Sequence, residues 1–431
     1  MRVRKFVTFL GVGLGLALSF APRAWSQGTT YSLIAAGRYL VDAGDCASCH
    51  TDTAGKPFAG GRAIQTPFGV IYSSNITPDS ETGIGKWSEK DFYDAMHHGM
   101  SRTGKYLYPA FPYPWFTKVS ADDVRAIKAY LDTIPPVRQR NRRSKLPWPL
   151  SVRSVMAGWN ALYFQEGVFQ PDANKSVAWN RGAYLVQGLG HCGACHTATN
   201  AVGAPKKHQR LMGGDFGKHW YAPNLTRDLG DGLGNWSVEE IVEYLKTGSN
   251  GKDAAGGPMA EVVENSTQYL SDSDLDAMAT YLKDIPAHEN SSSAPAVAVA
   301  DRTDLTRGQA LYDDNCTGCH MVNGAGLAQV FPSLKESSAV QAKVPDTLIH
   351  FILAGARKAV TPGKPTGLSM PAFSGKLDDG ELADLVNYIR NAWGNHAPLT
   401  DASAVSKVRK EIERSGELNA RQPPVQAGGS S

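Results

Sequence analysis

Apolar and polar positions fall into helical spacing at three places along the chain. AAGRYLVDAGDCASCH, NRGAYLVQGLGHCGACH and TRGQALYDDNCTGCH each move from a small or polar start to an aromatic and aliphatic face. Each predicts a helix running into a Cys-x-x-Cys-His motif. A glycine precedes the apolar face every time, at Gly37, Gly182 and Gly308. Three further amphipathic runs follow: SADDVRAIKAYLDTIPP, SDSDLDAMATYLKDIPA and LDDGELADLVNYIRNAWG. Ser120 and Ser271 are placed as N-caps, and Pro135 and Pro286 as stops. The chain is therefore a repeat of whole units, each with a leading helix, a loop-rich middle and a closing helix.

The first two units resemble each other more than the third. Tyr72 to Ser88, YSSNITPDSETGIGKWS, matches Tyr221 to Ser237, YAPNLTRDLGDGLGNWS, and both run into predicted helices, EKDFYDAMHHG and VEEIVEYLKTG. Trp87 answers Trp236, as a wall of a site or as helix packing. Asn75 and Asn224 head Asn-x-Thr triplets whose paired placement points to a structural loop. Unit one spans about 28–137, unit two about 176–288 and unit three about 301–396. The connector 138–175 carries Trp148, Trp159, Tyr163, Phe164 and Phe169, which should pack against a neighbour. Residues 289–300 read as a flexible linker and 397–431 as a polar, mobile tail.

KYLYPAFPYPWF, Lys105 to Phe116, holds three prolines and six aromatics in twelve residues. Proline excludes a regular helix, while so many rings demand burial, so the run predicts a stiff strap over something apolar.

The N-terminus has a basic start, an apolar run from Phe6 to Phe20 and a small-residue exit at Ala24 and Ser26, which predicts an export signal over residues 1–26. Its removal would take four basic residues and no acidic ones, turning the formal +3 to about −1. Near neutrality leaves no nucleic-acid footprint. One dense basic cluster remains, Arg138, Arg140, Arg142, Arg143 and Lys145. It reads as a solvated linker or as a contact for an acidic partner or anionic headgroups.

All six cysteines belong to the three motifs: Cys46 and Cys49 before His50, Cys192 and Cys195 before His196, Cys316 and Cys319 before His320. CxxCH is the attachment signature for c-type haem. Two thiols one turn apart can add to the two vinyl groups of a porphyrin, with the adjoining imidazole beneath the iron. A zinc ribbon needs its cysteine pairs close together. A thioredoxin-like motif would not place histidine after every pair. Three covalent haems c are the expectation.

The units resemble class I cytochrome c folds, so the expected architecture is all-α, three consecutive class I cytochrome c domains. In that family a methionine from the later loop completes the iron's coordination. The resemblance implies Met259, in AAGGPMAEVV, and Met370, in GLSMPAF, as sixth ligands. In unit one the aligned residue is Phe111, which cannot ligate. Met100 is the nearest thioether. His97, His98, Met96 and an open position are the alternatives.

Long strings, including FAGGRAIQTPFGVIYSSNITPD, LYPAFPYPWF and STQYLSDSDL, extend the likeness over about 33–396. They resemble the tri-haem cytochrome c subunit of periplasmic alcohol, aldehyde and sugar dehydrogenases. Relatives of that kind carry YPAMPY where this chain has YPAFPY. The resemblance implies a large-subunit partner bearing pyrroloquinoline quinone, flavin or molybdopterin, with a small third subunit as a further partner. It also implies electron delivery to ubiquinone at the membrane surface, on the outer face of the bacterial inner membrane. A multihaem peroxidase or sulfur-compound oxidase, and a soluble electron shuttle, are the rival readings.

Overall fold

The computed structural model describes residues 23–217, 219–287, 302–335 and 337–415. The expected export signal up to residue 22, the whole of the linker 289–300 and the end of the tail lie outside the described residues. In each unit the leading helix crosses the closing helix: Arg23–Ala43 against Ala121–Leu131, Val177–Tyr184 against Asp272–Asp284, and Arg302–Asn315 against Asp379–Asn391. Ser120 and Ser271 accept the backbone N–H three residues on, as their cap positions predict.

The leading glycines explain how the helices cross so closely. A Cβ at Gly37 would lie 1.9 Å from the Ala126 carbonyl oxygen, one at Gly182 1.9 Å from that of Ala277, and one at Gly308 2.2 Å from that of Asp384. No larger residue fits between these backbones.

A middle helix completes each unit: Glu89–His98, Val238–Thr247 and Asp346–Ala354. The first two start with capping boxes, Ser88 with Asp91 and Ser237 with Glu240, and end at left-handed Gly99 and Gly248. The fold is helix-rich but not purely helical. Three antiparallel two-stranded ladders join Ala63–Thr66 to Gly69–Tyr72, Met212–Asp215 to Tyr221–Asn224, and Ala356–Arg357 to Ser369–Met370. These segments of two to four residues carry too little alternation to read as strands in the sequence.

Units one and two share one core. Leu40, Val41, Ile127 and Leu131 of the first join Leu185, Leu189, Leu275 and Leu282 of the second. Unit three has its own, built on Tyr312, Ile349, Leu353, Leu382 and Val386. It docks on unit two through aromatic, apolar and polar contacts, with Trp220 stacked on His350 at 4.0 Å and Ala359 packed against Ala255, Ala260 and Val263. Thr347 Oγ1 donates to the Tyr221 carbonyl and accepts its N–H, and His219 pairs with Asp346 at 2.8 Å. The hydrogen bond and charge of Asp346 raise the His219 pKa.

The expectation of a mobile tail from 397 is corrected over its first half. Ala402–Ser415 is a helix whose Val405, Val408 and Ile412 are buried in the core of unit three. Arg409 fixes it by bonding Asp379 and the Ser374 and Leu377 carbonyls. Three apolar residues at spacings of three and four were diluted by charged neighbours, which hid the stripe. Arg390, fully buried, also holds this region, donating to the carbonyls of Val340, Ala342 and Pro398.

The connector packs through Trp159, Tyr163, Phe164 and Phe169, but the expectation fails at Trp148, which stands exposed. Met156 and Trp159 close over Tyr108 and Tyr113 of the strap, and the Tyr113 hydroxyl donates to Asn160 at 2.5 Å. Trp115 lies against Gly193, inside the second cysteine motif. The strap thus covers the seam between units as well as unit one itself. Among the described residues no helix is long and apolar enough to cross a membrane.

Candidate functional site

The three motifs adopt one local geometry. Each sits on a short helix, Cys46–His50, Gly193–His196 or Thr317–His320, directly after the leading helix or its π-helical extension Leu185–Leu189. In units one and two the residue before the first cysteine is left-handed, Asp45 at φ 51° and His191 at φ 37°. That turn breaks the leading helix and starts the motif.

None of the six cysteines forms a disulfide. Burial raises the thiol pKa of Cys46, with those of Cys49 and Cys192 reaching about 11, Cys195 about 12 and Cys316 about 11. Ionised sulfur is disfavoured there, whereas a thioether carries no charge to bury.

Each motif histidine is oriented by a backbone carbonyl. His50 Nδ1 is 2.6 Å from the Ser74 oxygen, His196 Nδ1 2.7 Å from that of Pro223 and His320 Nδ1 3.0 Å from that of Pro332. Carbonyl oxygens only accept, so Nδ1 carries the proton and Nε2 keeps its lone pair. Burial lowers all three pKa values, which favours the neutral, ligating ring. A second atom held by a carbonyl while the first faces a metal is the usual way a ligand histidine is set. Paired thiols, five of them partly buried and Cys319 exposed, beside an oriented imidazole fit a covalently held haem at each motif.

The Asn-x-Thr triplets supply two of these carbonyls. Asn75 and Asn224 are buried, and each accepts the N–H two residues on, from Thr77 and Thr226. The Asx turns fix the preceding carbonyls, of Ser74 and Pro223, against the histidines. Sequence reasoning saw paired structural loops without seeing what they orient. The duplicated triplet was the available signal.

Met259 lies in the first turn of the helix Gly257–Asn265, not in the expected loop, because left-handed Gly257 and then Pro258 at the helix start favour that turn. It packs on the shared core and on a small cluster with Ala255, Ala260, Val263 and Ala359. Met370 lies in the ladder Ser369–Met370, against the core that also receives Cys316. Phe111 packs on the shared core that receives Cys46. Met100 forms a bridge with Tyr106 and joins none of the hydrophobic clusters.

The first two motifs are brought together across the seam of their units. Cys195 is close enough to Cys49 and Asp45 for their charges to raise its pKa. Asn265 donates to Ser48 at 3.0 Å, and Arg62 pairs with Glu261 at 2.6 Å, both across the seam of units one and two. Asp45, whose carboxyl burial raises to about 7, accepts from Ser48 beside this seam. Between units two and three, Glu264, on Met259's helix, binds Arg357 and the Val360 N–H. Arg357 in turn pairs with Ser369, the neighbour of Met370. The methionine segments of units two and three therefore abut.

A cytochrome c family model matches residues 34–135, 180–286 and 305–393. The chain is 41% identical to the gluconate 2-dehydrogenase cytochrome c subunit of Pantoea cypripedii, over 94% of this chain and 95% of that protein. It is 38% identical to the cytochrome c subunit of the quinone alcohol dehydrogenase of Gluconobacter oxydans, over 93% and 87%. With the fructose dehydrogenase cytochrome subunit of Gluconobacter japonicus it shares 37%, over 87% and 82%.

Proposed function

The chain belongs to the cytochrome c family, and on that premise we propose that it is the electron-transfer subunit of a periplasmic dehydrogenase complex, carrying three covalent haems c. A large subunit with an organic or molybdenum cofactor would oxidise an alcohol, aldehyde or sugar, and ubiquinone would receive the electrons. The observation that carries the reading is the threefold recurrence of two unpaired thiols beside an imidazole whose Nδ1 is held by a carbonyl.

Bound haem supplies one-electron exchange between ferric and ferrous iron. The chain's residues do the rest. Cys46 and Cys49, Cys192 and Cys195, and Cys316 and Cys319 would fix the rings. His50, His196 and His320 would ligate the metal from one side, with Met259 and Met370 opposite in units two and three. Thioether ligation favours the reduced state and suits a carrier of electrons. The packing of unit one on unit two, and of unit two on unit three, supports a relay in that order or its reverse.

The protein would lie against the outer face of the inner membrane. Trp148 and Leu162, 83% and 74% exposed, lie on the connector that begins with the basic run Arg138 to Lys145, an arrangement suited to a membrane interface. Isolating the tagged chain from native membranes tests the assignment. A large subunit with its cofactor is expected at one copy per chain, and recovery of the chain by itself under mild detergent would overturn it.

A further inference from the structure

Units one and two can be aligned residue by residue through hydrogen bonds alone. After the left-handed caps Gly99 and Gly248, the Leu107 N–H donates to the Gly99 carbonyl at 2.7 Å, and the Ala255 N–H to that of Gly248 at 2.7 Å. Leu107 therefore corresponds to Ala255. Four residues further on, Phe111 stands where Met259 stands.

The same register assigns each alternative ligand a counterpart with a structural task. Met96 answers Leu245, and both are buried in the shared core. His97 answers Lys246. Lys246 Nζ donates to the Leu270 carbonyl at 2.7 Å, whereas the buried His97 Nε2 has no hydrogen-bond partner among the described residues. The Lys246 bond joins the middle helix to the residue before the N-cap of the closing helix. The His97 ring is also stacked on Tyr93, at 4.0 Å and 12°. His98 answers Thr247 and pairs with Glu166 at 3.0 Å. Met100 answers Ser249, each being the first residue of a bridged loop.

Phe111 has no lone pair to donate. Its ring is set edge-on to Phe116 at 5.4 Å, among Tyr108, Tyr113 and Trp159. The Tyr113 hydroxyl is committed to Asn160. The surroundings are apolar and disfavour anions.

We propose that the haem held by Cys46, Cys49 and His50 has no side chain as its sixth ligand, and that its distal face, closed by Phe111, binds small uncharged π-acceptor molecules such as carbon monoxide and nitric oxide. Such a molecule needs only to donate its lone pair to ferrous iron, with the aromatic wall shielding it from water. The site rests on the reading that CASCH carries a haem.

The test uses the full holoprotein. Covalent haem is counted first. A chain whose Cys46 and Cys49 are unmodified defeats the haem reading itself. With three haems present, the reduced protein under carbon monoxide is expected to take up one equivalent, and the ferric protein to show one high-spin haem beside two low-spin ones by electron paramagnetic resonance. Phe111→Met is expected to abolish uptake and add a third methionine-to-iron charge-transfer band. Three low-spin haems and no uptake in the native protein would overturn the proposal, as would uptake that appears only in Met100→Leu or His97→Leu.

Discussion

Gly182→Val is expected to prevent the second unit from closing. Its Cβ would sit 1.9 Å from the Ala277 carbonyl oxygen, a backbone atom that no rotamer change can move. The leading and closing helices would have to separate, and they carry Leu185, Val186, Leu275 and Leu282 of the shared core. Overpacking alone costs about 1–3 kcal/mol, and a clash with fixed backbone belongs at or above the top of that range. Gly158→Ala is the matched control, because nothing lies within 4 Å of a Cβ there and the site is inside the helix Val155–Tyr163. It should be neutral or stabilise by about 0.5–1 kcal/mol. Thermal unfolding followed at the haem band separates the two, and an unchanged midpoint for the valine variant would contradict the crossing geometry.

The second large effect is expected from Cys192→Ser combined with Cys195→Ser. Removing both attachment points empties the middle of a core that serves two units, since Leu189 and Val186 pack with Leu40 and Val41. Unit one should lose protection along with unit two. Unit three, with its separate core and its Ala402–Ser415 helix, should survive limited proteolysis as a haem-bearing fragment. The corresponding change at Cys316 and Cys319 should expose unit three and leave the first two units resistant. A protease-resistant unit one in the first variant would contradict the shared core.

The features legible in the sequence are those set by neighbours along the chain. CxxCH motifs, the Ser120 and Ser271 caps and the glycines ahead of each motif all act over one or two turns, so they can be read locally. The glycines could be noticed without their reason, because the carbonyls they face are 76 to 95 residues away. Long-range packing hid the joined core of units one and two, and with it the second role of the strap, whose Trp115 reaches Gly193. The orienting carbonyls of Ser74, Pro223 and Pro332 were equally hidden, since any residue type can supply a carbonyl. Placing Phe111 opposite Met259 was possible from the sequence. Weighing its rivals required the surroundings of His97 and Lys246, which only the folded chain displays.

The central claim, that this chain conducts electrons from a dehydrogenase to quinone, is tested most directly on the complex isolated from membranes. Adding the partner's oxidisable substrate should reduce three haem equivalents per chain, and a soluble ubiquinone analogue should then reoxidise them. Haems that stay ferric while the large subunit reduces an artificial dye would contradict the account.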